Sequence, residues 1–471
     1  MSDQQQAFGE KVNQFLEEKL GPVATAIASQ PHILAIRNGV IAAIPLTIVG
    51  GLCLILAFPP IDPKTATGTD IFTQLLLGWH QWAQANFTEI MVPFSMTMGI
   101  MALFVAMAVG YNLASSYKLN PLSGAIMAAT TFLLVSAPTQ SAVLLSKVKD
   151  GMDAKALAKL GSGVLPSNFL DAKGIFTAII VGLLVVEVMK FMRERKYTIK
   201  MPEGVPPAVA ASFEALLPMI VNIFLFYMVS LIIQSNFHVI LPEAIMKLIA
   251  PLVSAVDSAP GIFFISVFCQ ILWFMGLHGA AIVGGVASPF MDANLLANAT
   301  EKIAGLPLTH IFTTPFWNCF VLIGGSGATM ALVLLMIRSK SQQMKTIAKL
   351  GWLPVLFNIN EPIIFGVPLV FNPVLAIPFI FVGAINGVIA YIVVKAGMIA
   401  PGFVNAPWTT PAPISAFIST LDWKAGVFVL FLVALDYVLY YPFFRVFEKQ
   451  LLEQEEKSEN HSSRKSHSVS I

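Results

Sequence analysis

Charge is what this sequence has least of: Asp, Glu, Lys and Arg make up 11% of its 471 residues, against about 25% in an ordinary soluble domain. With 56% hydrophobic residues, that scarcity excludes a soluble globular chain. A net charge of +2 and the lack of any basic stripe exclude nucleic acid as a partner. Cysteine is nearly absent. Cys53, Cys269 and Cys319 lie in apolar surroundings without CxxC spacing, which excludes a disulfide framework and a zinc site and leaves small buried hydrophobes. Residues 1–11 have no basic segment leading into a short apolar core, so no cleavable signal peptide is expected. There is no glycine loop with a following lysine for nucleotide phosphates, so direct use of ATP is excluded. No metal or cofactor is expected.

What the sequence has instead is long apolar runs. A helical span needs roughly 20 mostly apolar residues. Residues 39–58, 90–113, 123–145, 175–192, 215–233, 262–286, 316–337, 373–394 and 425–444 qualify. Residues 71–87 contain His80, Gln81, Gln84 and Asn86 and read either as a packed span or as a surface helix. The expected fold class is an all-α integral membrane protein of about ten transmembrane helices. Residues 193–207 (RERKYTIKMPEGVPP) form a basic, proline-bearing break and residues 338–349 a second basic loop; the positive-inside rule puts both in the cytoplasm. The orientation of the N-terminus depends on whether 71–87 spans. Residues 6–20 carry Phe8, Val12, Phe15, Leu16 and Leu20 on one helical face, as an interfacial helix or a soluble N-terminal helix would. Residues 241–256 show a similar pattern. The tail 448–471 is charged and Ser-rich and reads as disordered.

An ionisable group inside a span costs on the order of 3 kcal/mol or more and needs a reason. Glu361 is the only acid or base between Lys349 and Lys395, within NINEPIIFGVP, and Pro354, Pro362, Pro368 and Pro373 surround it. Four prolines at that density cannot sit in one straight helix. Broken backbone at membrane depth is tolerated only where protein or a watery cavity covers it. A re-entrant hairpin with Asn358, Asn360 and Glu361 at its tip satisfies both conditions, and such segments mark transporter binding sites. The plainer alternative is the polar cap of a short interfacial helix.

His278, in WFMGLHGAAIVGG, is flanked by Gly276 and Gly279, which leave room for a close backbone or a ligand. It reads either as a satisfied core histidine or as a site residue. Trp273 offers an aromatic face that can stack on a sugar ring, or a lipid-interface anchor. Gly324-Gly325-Ser326-Gly327 suggests tight helix packing or amides exposed for an anion. Asn405-Ala406-Pro407-Trp408-Thr409-Thr410-Pro411 joins an indole to amides and hydroxyls. Asp436 and Glu187 have no broken backbone beside them and read as structural. All the strong candidates follow residue 260, which suggests a scaffold in the first half and a site in the second. Residues 1–30 then form an N-terminal segment, 31–200 a scaffold and dimerisation half, 201–447 the binding half and 448–471 the tail.

WFMGLHG, LIGGSGAT, FNINEPIIFG and NAPWTTP, in this order, resemble the membrane component (enzyme IIC) of the bacterial sugar phosphotransferase system, nearest the lactose, cellobiose and diacetylchitobiose permeases. QPHILAIRNG followed by IPLTIVGG resembles that family's first span, and the similarity runs over residues 30–448. The resemblance implies a multi-pass homodimer in the bacterial inner membrane, with dimer contacts in the first half and two re-entrant hairpins holding the sugar in the second. Carried over by motif, Glu361 and His278 bind sugar hydroxyls, and Asn358, Asn360, Trp273, Gly279 and Trp408 line the site. The sugar is then phosphorylated by a phosphocysteine of enzyme IIB, which is served by enzyme IIA and the general proteins of the system. None of the three cysteines stands in a hydrophilic loop, so enzyme IIB is expected as a separate chain. The wording of the motifs favours cellobiose or diacetylchitobiose over lactose. The rival readings are a proton-coupled secondary transporter using Glu361 and a membrane enzyme transferring groups to lipid. The second would need convergent acids or metal ligands that the spans lack.

Overall fold

The structure is a computed structural model that describes residues 26, 29–61, 63, 70–137, 166–202 and 204–468. The amphipathic segment 6–20 and residues 138–145 of the third expected span lie outside the described residues.

Among the described residues seven helices are long and apolar enough to cross a membrane, or eight if one bent pair counts as a single span. That count takes only uninterrupted helices, and several of the apolar runs are interrupted. The first span starts earlier than expected: α1 (Pro31–Ala42) continues into α2 (Ile44–Ala57) across a step at Ala43, where Pro45 interrupts the hydrogen-bond ladder. Residues 71–87 form α3 (Ile71–Ala85), capped by Asp70, and leave Ile71, Phe72, Leu75 and Trp82 exposed. The run 90–113 is broken into α4 (Phe87–Ser95), a short 3-10 turn (Met98–Ile100) and α5 (Met101–Ser116). Next come α6 (Pro121–Ser136), α7 (Ile175–Glu194) and α8 (Pro207–Phe237).

Small residues set the spacing in this first part. A Cβ on Gly110 of α5 would lie 2.8 Å from the Gly124 carbonyl oxygen of α6, and one on Gly124 equally close to the Gly110 carbonyl. The two backbones therefore touch, as packing in lipid favours. Buried residues of α1, α2, α5, α6 and α7 make one apolar cluster, and Phe226 of α8 belongs to it. The helix 207–237 thus packs with the first half, although the basic break at 193–207 suggested a boundary before it.

After α8, the amphipathic α9 (Leu241–Val256) bends by 74° into α10 (Ala259–Phe274). The run 262–286 is not one span: the chain breaks at Met275–His278 before α11 (Gly279–Ile303). The run 316–337 is also broken, into a π-helical turn (Trp317–Val321), a glycine turn and α12 (Met330–Ile337). The expected hairpin follows as α13 (Gln342–Leu356) and the short α14 (Glu361–Gly366). The last elements are α15 (Ala376–Lys395), α16 (Ala412–Thr420) and α17 (Trp423–Ser468). A second apolar cluster joins α10 to α17, but Leu296 and Ala299 of α11 and Phe403 and Val404 belong to the first.

The tail differs from expectation up to Ser468, because α17 runs through residues 448–468 as helix. Two of its acids have partners that composition does not reveal. Glu448 Oε1 accepts from Ser339 Oγ and Lys340 N, both at 2.7 Å. Glu455 Oε1 accepts from Ser341 Oγ at 2.7 Å and Gln343 N at 3.1 Å. They satisfy donors at the start of α13, which α13 itself cannot.

Candidate functional site

Two breaks and two loops converge in the second half. The α10–α11 break ends α10 with a Schellman pattern: Leu277 N donates to Leu272 O at 2.9 Å and Gly276 N to Trp273 O at 3.0 Å. Gly276 takes the left-handed conformation this needs, at φ +77°. His278 then caps α11, its Nδ1 accepting from Ala281 N at 3.1 Å. Its ring is 4.4 Å from that of Trp273. His278 is exposed, which overturns the core-histidine alternative. Trp273 is buried, and its indole N–H has no hydrogen-bond partner. Gly279 is a packing residue here, since a Cβ would lie 2.0 Å from Cys269 O.

The hairpin tip uses the same terminating device. Ile359 N donates to Pro354 O and Asn358 N to Val355 O, each at 3.0 Å, with Asn358 left-handed at φ +62°. Asn358 Oδ1 accepts from Gly324 N at 3.0 Å. Its Nδ2 donates to Trp408 O at 2.8 Å and Thr410 O at 3.2 Å. Asn360 is buried and donates to Ser326 O at 2.7 Å and Thr329 Oγ1 at 2.8 Å. A Cβ on Gly325 would lie 2.4 Å from Asn360 Cγ. The glycine turn is thus the packing partner of the hairpin tip, and Gly324 N–H is already engaged; the anion alternative is set aside.

Glu361 opens α14 half-buried, and its Oε2 is enclosed with no hydrogen-bond partner. An unsatisfied buried carboxylate oxygen is costly, so it calls for a donor. Among the described residues Glu361 and His278 share no hydrogen bond. The segments that carry them are linked further along: Phe371 N, five residues beyond α14, donates to Phe274 O at 3.0 Å, beside the α10–α11 break. The Trp408 indole is half exposed, at 54%; the contact to the tip is its carbonyl. That loop is anchored to the first half by Asn405 Nδ2, which donates to Thr47 Oγ1 at 2.9 Å. These segments carry one enclosed carboxylate oxygen and one enclosed indole N–H without partners, and two exposed rings, those of His278 and Trp408.

Several polar residues escaped sequence reasoning. Asp292 of α11 is buried and accepts from Thr314 Oγ1. Asn294 donates to Phe312 O at 2.9 Å, and Asn298 to His310 O at 2.7 Å and Gly402 O at 2.8 Å. The 292, 294, 298 spacing was the only available signal. The first half also holds a polar cluster: Glu187 Oε1 lies 2.8 Å from His32 Nε2 and accepts from Tyr117 Oη at 2.6 Å. Its members are too far apart in sequence to be associated by spacing. Cys53, Cys269 and Cys319 are buried and unpaired, as expected. No group of metal-ligating side chains occurs among the described residues.

Residues 37–383 match the family described as phosphotransferase system, EIIC. The chain is 37% identical over 449 residues to the lichenan permease IIC component of Bacillus subtilis (strain 168), covering 94% of this chain and 95% of that protein. It is 36% identical to the cellobiose-specific EIIC component of Geobacillus stearothermophilus, covering 95% and 97%. It is 30% identical to the lactose-specific EIICB component of Lacticaseibacillus casei, covering 94% and 72%. Among solved structures, it is similar to the transporter ChbC, the IIC component from the N,N'-diacetylchitobiose-specific phosphotransferase system. There the TM-score is 0.82 and the identity 31%, over 94% of this chain and 99% of that one.

Proposed function

The chain belongs to the phosphotransferase system EIIC family, the sugar-permease component of a bacterial membrane, and from that premise we propose that it carries a β-linked disaccharide of the cellobiose or diacetylchitobiose type. The sugar enters between the α10–α11 break and the Asn358–Glu361 tip. The observation that carries this is the orphaned Glu361 Oε2, a buried acceptor at the tip between α13 and α14. A carboxylate accepts only, so its partner must donate, and sugar hydroxyls do. The orphaned Trp273 N–H offers the opposite polarity, and the His278 ring stands beside it.

The chemistry follows from what these side chains can supply. Glu361 orients one hydroxyl and can take its proton as the oxygen attacks phosphorus. The phosphoryl group comes from the phosphocysteine of an enzyme IIB partner, itself charged through enzyme IIA. Cys53, Cys269 and Cys319 are buried and unsuited to that exchange. The protein works in the inner membrane as a multi-pass homodimer.

Equilibrium binding of labelled disaccharides to purified wild type and Glu361→Gln tests the assignment. The neutral amide keeps the volume but replaces one acceptor by a donor. The reading requires that binding fall by roughly tenfold or more while the variant still inserts and folds. Unchanged binding removes Glu361 from the site.

A further inference from the structure

Behind the glycine turn lies a second buried carboxylate that the sugar site does not use. Asp436 of α17 is fully buried, as is Asn386 of α15 facing it. Asn386 Nδ2 donates to Asp436 Oδ2 at 3.0 Å. The other oxygen of each residue, Asn386 Oδ1 and Asp436 Oδ1, is enclosed without a partner. Asp436 takes part in none of the ion pairs among the described residues, so no cation offsets an anionic charge there. A titratable group beside it is Tyr440, one turn further along α17, whose hydroxyl donates to Gly327 O at 2.6 Å.

Two orphaned oxygens in one amide–carboxyl pair are one proton short. We propose that Asp436 is a permanently protonated acid whose O–H donates to Asn386 Oδ1, closing a neutral ring of two hydrogen bonds that holds α17 against α15 behind the glycine turn. With that proton every polar atom of the pair is satisfied, and an unpaired charge in a lipid-embedded core is avoided. The ring has a consequence for the site. Tyr440 grips Gly327 O from α17, while Phe379 of α15 closes on the same glycine, where a Cβ would lie 2.4 Å from its ring. Fixing α15 to α17 therefore fixes the turn whose preceding carbonyl, Ser326 O, receives Asn360. Asp436 is a positioning residue that acts through Gly327 and Asn360, and it does not exchange protons during transport. This positioning role rests on the hairpin tips being the sugar site; the protonation does not.

Infrared difference spectroscopy of the purified protein, wild type minus Asp436→Asn, reads the proton directly. A carbonyl stretch of a protonated carboxylic acid must appear, unchanged across the pH range in which the protein is folded; its absence, or a carboxylate band in its place, overturns the proposal. The asparagine variant re-forms the ring as an amide pair, so its sugar affinity should stay within about twofold of wild type. Asp436→Leu leaves Asn386 unpaired and should lower affinity roughly tenfold. Adding Asn386→Leu, which removes both polar partners, should restore folding stability. An asparagine variant as impaired as the leucine variant contradicts the ring. Should Glu361→Gln bind sugar normally, the site assignment fails while the infrared band remains.

Discussion

Asn358 accepts a hydrogen bond from Gly324 N–H at 3.0 Å, which fastens the tip between α13 and α14 to the glycine turn before α12. The same side-chain amide donates to the carbonyls of Trp408 and Thr410, so one residue joins three loops. Asn358→Ala removes all three bonds and places alanine at φ +62°, a conformation that asparagine tolerates better. The expected loss is about 1–3 kcal/mol of local stability, read as weaker sugar binding and as faster hydrogen exchange in the tip. Unaltered binding and exchange would mean that the loops hold together without it.

Gly325 makes a sharper case. At φ +96°, with Asn360 Cγ 2.4 Å from where a Cβ would stand, Gly325→Ala must either displace Asn360 or unwind the turn. Sugar binding should be lost or nearly so. Gly284 of α11 is the control, since nothing lies within 4 Å of its Cβ position. Gly284→Ala should leave binding intact and stabilise the helix by up to about 1 kcal/mol. Equal behaviour of the two variants in a binding and thermal-melt comparison would refute this account of the turn.

The broken backbone of the candidate site is legible in the sequence. Proline density around Glu361 forced a broken segment, and that segment is α13 and α14 with Asn358, Asn360 and Glu361 at the tip. Hydropathy could not show that 262–286 and 316–337 are interrupted, because Gly276 and Gly324 to Gly327 leave the mean apolar character high while reversing the chain. Nor could it separate Gly279 as a packing residue from a ligand contact, since only the close approach of Cys269 O decides that. The tail differs from its composition for a similar reason. Composition records that Glu448 and Glu455 are charged, but not that Ser339 and Ser341 stand within reach.

That clamp gives a further prediction. Ser341 Oγ caps α13 through Met344 N at 3.2 Å and donates to Glu455. Glu448→Ala with Glu455→Ala should free the first turn of α13 and accelerate amide exchange there. Loss of the Ser341 cap alone costs about 1 kcal/mol. Proteolysis or exchange rates unchanged in residues 339–345 would show that the acids do not hold this turn.

At the α9–α10 bend, Asp257 accepts from Phe312 N at 2.7 Å and from Ile311 N at 3.3 Å, with His310 Nδ1 3.2 Å away. Asp257→Ala strands these backbone donors and should destabilise the protein by about 1–3 kcal/mol, seen as a lower melting temperature without direct damage to Glu361. A variant as stable as wild type would show that water serves these donors equally well.

Reconstitution in liposomes separates carriage from chemistry most directly. Without partners, the protein should bring labelled disaccharide to equilibrium at most, and the recovered sugar should be unmodified. Phosphorylated enzyme IIB supplied on the cytoplasmic face should convert it to sugar phosphate, and Glu361→Gln should abolish the conversion. Uphill accumulation of unmodified sugar driven by a proton gradient alone would contradict the account.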